Sequence, residues 1–414
     1  MINGDRKTVA IIGGGAAGMM AAIHAAYSGA QVLLFEKNDR LGKKLKITGK
    51  GRCNVTNDCP TNEFLTNVPT NPRFLYASLN RFSTSDTMDF FEGCGVPLKV
   101  ERGKRVFPVS DKAVDIVNAL ADRCREVEVE IIHHKVTSVE ISDGKVSAVA
   151  SGERRYPCDS VIICTGGKSY PGTGSDGDGY KFARQAGHTV TELKASLVPI
   201  VAEGNLCPRM QGLSLKNVSL KIQRTDNGKT VYEDFGEMMF THFGMTGPMV
   251  LSASAHVPDI EKGKYVAIID LKPALSEQEL DARIRSDFAK NNNKDFINSL
   301  GELLPLKAIE PIIEISGIDE RKKVNSITKE ERRRLLEAIK YMKIPLSRFR
   351  PIDEAIITKG GVSVDEVNPK TMESKLVSGL YFAGEVLDLD AYTGGFNLQI
   401  AFSTAVVAGE SAAE

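Results

Sequence analysis

The stretch that decides the fold is T-V-A-I-I-G-G-G-A-A-G, residues Thr8–Gly18. Its first part, Val9–Ile12, is an uncharged and largely β-branched run, typical of a strand buried on both faces of a parallel sheet. Gly13, Gly15 and Gly18 then fit the pattern G-x-G-x-x-G. The first glycine of that pattern permits a tight turn, the second lets a pyrophosphate approach the backbone, and the third lets a helix pack against the strand. The stretch therefore predicts a dinucleotide-binding turn with phosphate at the helix N-terminus.

The flanking residues supply the context that a glycine pattern needs, because a glycine-rich strand-to-helix turn alone is a weak signal. A small-residue helix is predicted over Ala16–Ser28, ended by Gly29, and Gln31–Phe35 predicts a second buried parallel strand. Glu36 follows that strand, 18 residues past Gly18. A carboxylate that binds a ribose hydroxyl is expected about 20 residues on. The alternative for Glu36 is a solvated acid at a strand end.

The composition is that of a globular protein of about two or three domains, with 414 residues, 42% hydrophobic and 26% charged. Lysine plus arginine and aspartate plus glutamate both number 53, so the formal net charge is zero. A neutral chain argues against a broad nucleic-acid or membrane-surface role, although it allows a local basic patch. Met1–Lys7 is polar and leads directly into the first strand, so we expect neither a signal peptide nor a membrane span.

Cysteine and histidine usage argues against disulfide and metal chemistry. The seven cysteines are odd in number and irregularly spaced, which is typical of reduced thiols and predicts a cytoplasmic protein. Cys53 and Cys59 lie six apart rather than in a C-x-x-C pair, so we expect no redox-active dithiol. His133 and His134 are adjacent and would point to opposite strand faces, and the six histidines show no metal-ligand spacing, so we predict no metal.

A loop rich in glycine, lysine and threonine, L-G-K-K-L-K-I-T-G-K-G-R-C-N-V-T-N, occupies Leu41–Asn57. It has no helical or strand period, and one interpretation is an exposed basic loop. We favour a segment laid along an anionic cofactor, because the loop begins just after the acid that would bind the ribose. Arg52 and Lys44 would then be charge partners and Asn54 an amide contact.

The remainder of the chain divides by composition. Ser160–Cys164 predicts another buried strand followed by Thr-Gly-Gly, Leu197–Asp270 is β-rich, and Ser276–Arg348 is charged and predicted to be helical. Gly379–Glu385 returns to a strand that ends in Gly-Glu, and Gly394–Ala405 opens a second glycine-started helix. The last segments, like the first, predict a buried strand followed by a glycine-started helix. We therefore predict one α/β domain formed by both ends of the chain around an insertion.

Short-range signals predict several element boundaries. They are the hairpin turns Asn227-Gly228 and Asp143-Gly144 and the capping boxes Ser276 with Glu279 and Thr328 with Glu331. The apolar spacing over Asn71–Phe91 predicts helix throughout that stretch.

Several stretches together resemble the glutathione-reductase-type flavoproteins, which share a G-x-G-x-x-G start, a later Thr-Gly strand end and a C-terminal Gly-Asp/Glu strand end before a helix. Here these are Gly13–Gly18, Thr165–Gly166 and Gly384–Glu385. Within that class the chain is similar to the BaiN/YhiN-like, or aminoacetone-oxidase-like, FAD-binding family. The motifs that carry this resemblance spread over nearly the whole chain: Thr48–Asn57, Ser169–Tyr180, Met239–Pro248 and Gly379–Ser403. Asp176 stands where the family pattern leads us to expect threonine.

The resemblance implies a fold and a cofactor. The fold is an α/β, Rossmann-like FAD-binding domain over residues 1–190 and 353–414, with an inserted β-rich, barrel-like domain over 191–275 and 343–352 and a small helical subdomain over 276–342. The cofactor-binding residues that it implies are Gly13, Gly15, Ala16, Ala17, Gly18, Glu36, Lys37, Arg52, Asn54, Val136, Gly166, Gly384, Glu385, Phe396, Asn397 and Leu398. Among them, Val136 would contact adenine through its backbone, Glu385 would meet the ribitol or phosphate, and Phe396–Leu398 would place N–H groups near the flavin pyrimidine edge.

The chemistry implied is that of an FAD-dependent oxidoreductase acting on a small or moderately sized organic substrate, with hydride transfer to or from the flavin N5. Because the sequence has a single dinucleotide fingerprint, NADH or NADPH would bind only transiently as electron donor, and an oxidase that uses oxygen is the alternative. His242 is a candidate for the proton group on the substrate side, since histidine titrates near neutral pH. A hydrogen-bonded turn histidine is its equal alternative, and Tyr170 and Tyr392 are further candidates.

A rival interpretation is an FAD-binding protein that acts on RNA or on a protein partner, as some related flavoproteins modify tRNA. It would need a basic, aromatic-studded surface. The lysine- and arginine-rich runs Lys43–Arg52, Arg102–Arg105 and Arg332–Arg334 are short, and two of them are interleaved with acids. We therefore expect a small-molecule substrate, no nucleic acid and no membrane.

Overall fold

The protein is represented by a computed structural model that describes residues 6–257 and 260–414; the first five residues of the predicted polar N-terminal segment lie outside this description. The strands, in chain order, are β1 (Thr8–Ile12), β2 (Gln31–Phe35), β3 (Thr56–Asn57), β4 (Leu98–Glu101), β5 (Arg105–Pro108), β6 (Glu130–Ile132), β7 (Ser138–Ser142), β8 (Lys145–Ser151), β9 (Arg154–Pro157), β10 (Ser160–Ile163), β11 (Lys194–Ser196), β12 (Ile200–Ala202), β13 (Ser214–Arg224), β14 (Thr230–Phe240), β15 (Gly244–Thr246), β16 (Tyr265–Asp270), β17 (Met342–Phe349), β18 (Ile357–Lys359) and β19 (Leu380–Phe382). The helices are α1 (Ala16–Tyr27), α2 (Thr61–Leu65), α3 (Tyr76–Arg81), α4 (Thr84–Gly93), α5 (Ala113–Glu126), α6 (Asp178–Gln185), α7 (Leu206–Arg209), α8 (Pro248–His256), α9 (Glu277–Lys290), α10 (Leu306–Ser316), α11 (Lys329–Lys340) and α12 (Phe396–Ala413).

The strand β1 lies at the centre of a five-stranded parallel sheet of order β19-β10-β1-β2-β6. Ile11 stands opposite Ile162 on one side and Leu34 on the other, and Val9–Ile12 is buried. This position explains the uninterrupted apolar run, because a strand in the middle of a parallel sheet is covered on both faces. The C-terminal strand β19 joins the same sheet beside β10. Both ends of the chain therefore form one α/β layer, as the sequence predicts.

The two glycine-started helices of this layer pack against each other. A Cβ atom added at Gly409 of α12 would lie 2.4 Å from the backbone oxygen of Ala21 in α1. A side chain at position 409 would therefore clash with α1. The small residues of both helices allow their backbones to approach this closely. The opening and closing segments of the chain are thus held together by helix packing as well as by the sheet.

Contacts divide the chain into two compact units: unit 1 comprises the described residues up to Ser196 together with Ala355–Glu414, and unit 2 comprises those of Leu197–Glu354. The boundaries predicted from the sequence fall at 190/191 and 352/353, a few residues earlier. Unit 1 also contains the three-stranded sheets β3-β5-β4 and β7-β8-β9 and the pair β11-β18. The predicted Asp143-Gly144 turn connects β7 to β8, where Ser142 pairs with Lys145.

Unit 2 is built on a closed barrel of order β12-β15-β14-β13-β16-β17. The predicted Asn227-Gly228 turn connects β13 to β14, and both predicted capping boxes are present, at the starts of α9 and α11. The helices share the apolar core of the barrel: Leu280 of α9 and Ile339 of α11 belong to the same buried cluster as Ile344. The composition predicts helix up to Arg348, which is wrong for the last residues, because the alternating run M-K-I-P-L-S-R-F forms β17, the strand next to β12 that completes the barrel. The resemblance assigns residues 343–352 to the β-rich domain instead.

The continuous helix predicted over Asn71–Phe91 is also wrong in detail. The stretch holds a short 3-10 turn and then α3 and α4, separated at Phe82, whose φ of −144° and ψ of 94° are extended. Ser83 then caps α4 together with Asp86 in a capping box. A serine followed three residues later by an acid is a helix-start signal, and it overrides the apolar spacing that runs through it.

Candidate functional site

The turn between β1 and α1 has the geometry that its glycines predict. Gly13 has a φ of +106°, and a Cβ atom there would lie 2.6 Å from the oxygen of Cys164. A Cβ atom on Gly18 would lie only 1.7 Å from the oxygen of Gly13. Around Gly15, by contrast, the corresponding space is open. The turn is therefore closed to side chains where it meets the sheet and open where a phosphate would approach.

The N-terminus of α1 is free to bind an anion. Its N-cap is Gly15, no side chain of the described residues caps it, and its first turn holds no acid. The first N–H groups of a helix have no partner within the helix and carry a partial positive charge. The predicted phosphate-binding residues Ala16, Ala17 and Gly18 occupy this first turn.

Glu36 is held in place at the end of β2. Its side chain is buried, Oε2 accepts the N–H of Gly14 (2.8 Å), and Oε1 accepts the N–H and the Nδ2 of Asn38 (both 2.7 Å). A carboxylate has about four lone-pair positions. One therefore remains for a ribose hydroxyl, so the arrangement fits the predicted role.

Lys37 belongs to an ion cluster beside that acid. Its ammonium lies 2.7 Å from Asp176 and 3.2 Å from Asp178, and Asp178 also pairs with Lys135 (2.9 Å) and Lys181 (2.8 Å). Burial raises the pKa of Asp178, but the three ammonium groups outweigh it and hold that pKa well below its usual range. Asp176, the departure from the family pattern, thus supplies a partner for Lys37.

Seven buried polar atoms of unit 1 lack a hydrogen-bond partner among the described residues. Among them are Oδ1 of Asn54 and Oγ of Ser175, which lie in the family motifs, and Oγ1 of Thr165, at the Thr-Gly strand end. A buried polar group without a partner is costly, so each indicates a water or a ligand that completes it. Asn54 is a predicted cofactor contact, and Thr165 directly precedes the predicted Gly166. A polar cofactor such as FAD fits these three atoms.

Two predicted cofactor residues are engaged with the protein itself. The guanidinium of Arg52 pairs with Glu101, donates from Nε to Asp111 (2.9 Å) and lies 4.1 Å above the ring of Phe107. Val136 is buried in the loop between β6 and β7. The roles of Arg52 and Val136 toward FAD remain predictions.

The Glu385 carboxylate accepts three hydrogen bonds from groups that the sequence pattern does not connect with it. Oε2 accepts the ammonium of Lys44 (2.6 Å), while Oε1 accepts the hydroxyl of Ser169 (3.1 Å) and the N–H of Thr358 (3.0 Å). Lys44 also donates to the Ser169 hydroxyl (2.8 Å). These partners come from distant parts of the chain, and no spacing rule connects them. Gly384 precedes Glu385 at a φ of +77°.

The N-terminus of α12 repeats the arrangement found at α1. Its N-cap, Gly395, has a φ of +99°, and a Cβ atom there would lie 2.2 Å from the oxygen of Thr56. No side chain of the described residues caps this helix, and its first turn holds no acid. The N–H groups predicted to face the flavin, those of Phe396–Leu398, are in this turn.

The substrate-side candidates lie in both units. Tyr170, at a φ of +53°, and Tyr392 are half-buried in unit 1. Burial and the nearby Asp390 raise the pKa of Tyr392, which keeps its phenol protonated. His242 is exposed in unit 2, where its ring lies 5.0 Å from that of Phe243.

Cys53 and Cys59 are both buried thiols. Burial raises the pKa of Cys53 to about 12 and that of Cys59 to about 11, so neither is a nucleophile near neutral pH.

Over residues 6–257 and 260–414, no cluster of three or more His, Cys, Asp or Glu could hold a metal ion. Within the same ranges, no helix is long and apolar enough to cross a membrane.

A parallel sheet with a glycine turn and two uncapped helices at its carboxyl edge defines a dinucleotide-binding protein of the Rossmann type. The model of the HI0933-like protein Rossmann domain matches residues 7–411. The chain is 32% identical to the 3-dehydro-bile acid delta(4,6)-reductase of Clostridium scindens over 98% of this chain and 99% of that protein. It is 30% identical to the ribosomal RNA dihydrouridine synthase of Escherichia coli over 97% and 96%. The chain belongs to the HI0933-like family of Rossmann-type FAD-dependent oxidoreductases.

Solved structures show the same fold at low identity. A 3-ketosteroid-delta4-(5alpha)-dehydrogenase from Rhodococcus jostii matches with a TM-score of 0.55 and 15% identity, over 100% of this chain and 98% of that one. A 3-ketosteroid delta1-dehydrogenase from Sterolibacterium denitrificans matches with a TM-score of 0.54 and 14% identity, over 98% and 99%. At this identity the likeness shows the fold alone.

Proposed function

We propose that this protein binds FAD along the carboxyl edge of the unit 1 sheet and reduces a small organic substrate, with NADH or NADPH as a transient electron donor. The pair of uncapped helix N-termini, at α1 and α12, carries this proposal. One suits a pyrophosphate and the other suits negative charge at the flavin pyrimidine edge, since both present free N–H groups. FAD would supply the hydride from its N5.

The substrate class follows from what two relatives' names share. The name of the C. scindens relative denotes reduction of carbon–carbon double bonds in a 3-oxo steroid acid. Dihydrouridine is uridine with two hydrogens added across a ring double bond next to a carbonyl group, and the E. coli relative is named for its synthesis. We therefore propose a double bond conjugated to a carbonyl group as the substrate of this protein.

The residues of this chain would bind the cofactor, orient the substrate and protonate it. Gly13–Gly18 and the first turn of α1 would bind the pyrophosphate, and Glu36 would accept a ribose hydroxyl. Reduction of a conjugated double bond also needs a proton at the carbon next to the carbonyl. Tyr392, a protonated phenol beside the N-terminus of α12, would donate it.

Anaerobic flavin titration tests the proposal. The purified protein should be yellow, NADH or NADPH should bleach the oxidised-flavin absorption, and an enone should restore it. Bleaching by an amine, with neither nicotinamide effective and recovery in oxygen, would establish the oxidase alternative instead. A colourless protein that refuses FAD on reconstitution would refute both.

A second candidate is that the conjugated double bond belongs to a uracil base in RNA. The observation that favours it is the name of two relatives, since the Haemophilus influenzae protein, 32% identical over 95% of this chain, is also named a ribosomal RNA dihydrouridine synthase. Against it stands the zero net charge of the chain. Dihydrouridine formed in ribosomal RNA by the protein and NADPH would establish it, and mass spectrometry of the digested RNA measures this directly.

A further inference from the structure

We propose that Lys44 is a positioning residue that latches the segment of residues 41–57, here called the strap, across the cofactor edge of unit 1 by its ion pair with Glu385. The proposal rests on the FAD site proposed above. It assigns Glu385 to the strap, whereas the resemblance assigns that carboxylate to the ribitol or phosphate.

The path of the strap places it over the edge where a dinucleotide binds. It begins on the glycine turn, because the N–H of Gly42 donates to the oxygen of Gly14 (2.9 Å). Lys44 then reaches Glu385, which follows β19. The strand β10 lies between β1 and β19, and neighbouring strands are about 4.8 Å apart. The strap therefore passes across the carboxyl end of β10, the edge at which Rossmann-type sheets bind their ligands.

The middle of the strap packs on α5 through apolar contacts but has few hydrogen bonds to the rest of unit 1. Leu45 is buried, and a Cβ atom on Gly42 would lie 2.8 Å from the side chain of Val117 in α5. The N–H of Lys46 donates to Gly42 and that of Ile47 to Lys44, so these backbone bonds stay within the strap. The Lys44 side chain thus adds a polar tie to a segment that is otherwise held by apolar packing.

The latch is a compact network rather than a lone surface ion pair. Lys44 donates to both Glu385 (2.6 Å) and Ser169 (2.8 Å), and Ser169 in turn donates to Glu385 (3.1 Å). Only 24% of the Lys44 side chain and 15% of the Glu385 side chain are exposed. Charge-assisted bonds that are partly shielded from water are stronger than exposed pairs. Opening the strap to release FAD would require these bonds to break.

The release rate of FAD from the holoprotein tests the latch, followed by the rise in flavin fluorescence after dilution. Lys44→Met and Glu385→Gln should each speed release about 10-fold or more, and the double variant no further than either. Lys43→Met is the matched control, since Lys43 is exposed and its polar partners among the described residues are the nearby Asp39 (3.5 Å) and Asn38 (3.3 Å). It should release FAD at the wild-type rate.

Trypsin cleavage of the strap gives a second measurement that needs no cofactor. Cleavage after Lys46 and Lys50 should be faster in Lys44→Met than in wild type or Lys43→Met. Unchanged cleavage and unchanged FAD release in Lys44→Met would overturn the latch, as would fast release from Glu385→Gln alone, which would mean that Glu385 holds FAD itself. If wild type retains no FAD, the proposed function fails while the cleavage comparison still decides the latch.

Discussion

Asn397 and Ala391 form a closed pair of hydrogen bonds. Nδ2 of Asn397 donates to the oxygen of Ala391 (2.7 Å), and its Oδ1 accepts the N–H of Ala391 (3.0 Å). The same Nδ2 lies 3.4 Å from the oxygen of Tyr392. The first turn of α12 is thereby fastened to the segment that carries Tyr392, and any contact of Asn397 with a flavin is left to its backbone N–H.

Replacing Asn397 by leucine should destabilise the protein by about 1–3 kcal/mol, because the N–H and the oxygen of Ala391 lose their partner in a half-buried place. Urea unfolding of holoprotein measures the loss. The same change should slow enone reduction, since Tyr392 is no longer fixed beside the helix. Asn293→Leu, at an exposed position, is the control and should alter neither. Wild-type stability and rate in Asn397→Leu would contradict the role of this pair.

The local patterns of the sequence predicted the core of unit 1 and the turns of both units. Val9–Ile12, the glycine turn and Gln31–Phe35 could be identified because strand burial and helix starts leave signals within a few residues of each other. The capping boxes at Ser276 and Thr328 are equally local, and both are present. The strand β19 pairs with β10 on the side opposite β1. Its place in the sheet is predicted only from the strand and glycine-started helix that both ends of the chain share.

The parts that could not be predicted depend on long-range pairing. Glu385 is 341 residues from Lys44 and 216 from Ser169, so no spacing rule announces their network. The ion pairs of Arg52 with Glu101 and Asp111 of the neighbouring hairpin region also join residues that no spacing rule connects. The charged flanks of β17 hide its period of two, so composition predicts helix there, whereas the family resemblance assigns residues 343–352 to the β-rich domain. In these segments, contacts between residues far apart in the chain determine the structure, and local sequence patterns do not record them.

Gly18→Ala should abolish FAD retention. The added Cβ would stand 1.7 Å from the oxygen of Gly13, and a backbone oxygen cannot give way as a flexible side chain does. The turn must therefore distort where the pyrophosphate would bind. Flavin absorbance relative to protein absorbance measures retention, with circular dichroism as the check on folding. Gly93→Ala, where the corresponding space is open, should keep its FAD; full flavin content in Gly18→Ala would show that the turn does not bind the cofactor.

The native protein should react with Ellman's reagent at Cys94 alone. Of the seven free cysteines, Cys94 is half-exposed and the other six are buried. Burial raises the pKa of Cys53 to about 12, so its thiol should stay inert until the protein unfolds. Cys94→Ala should remove the native reaction, and Cys53→Ala should leave enone reduction within about two-fold of wild type, as expected when no thiol takes part. Rapid modification of Cys53 in folded protein would reopen a redox role for it.

His188 should make the protein less stable as the pH falls below 6.5. Burial lowers the pKa of His188, although Glu366, 3.2 Å from its Nδ1, works in the opposite direction. Ser374 already accepts the N–H groups of Leu376 and Val377, so its hydroxyl proton points to Nε2 of His188 and suits the neutral ring. Because the unfolded chain takes up this proton more readily, stability is complete above the unfolded pKa of 6.5 and is lost as the pH falls through the folded pKa.

The free energy of unfolding of wild type, measured in urea between pH 7.5 and 5, should therefore decline on acidification, with His188 contributing up to about 1.4 kcal/mol per pH unit. His188→Gln cannot titrate and should show a shallower decline, though from a lower starting stability, since a buried ring is lost. His134→Gln, at an exposed position, should follow the wild-type slope. Parallel curves for wild type and His188→Gln would mean that the buried ring is not the group whose protonation opposes folding.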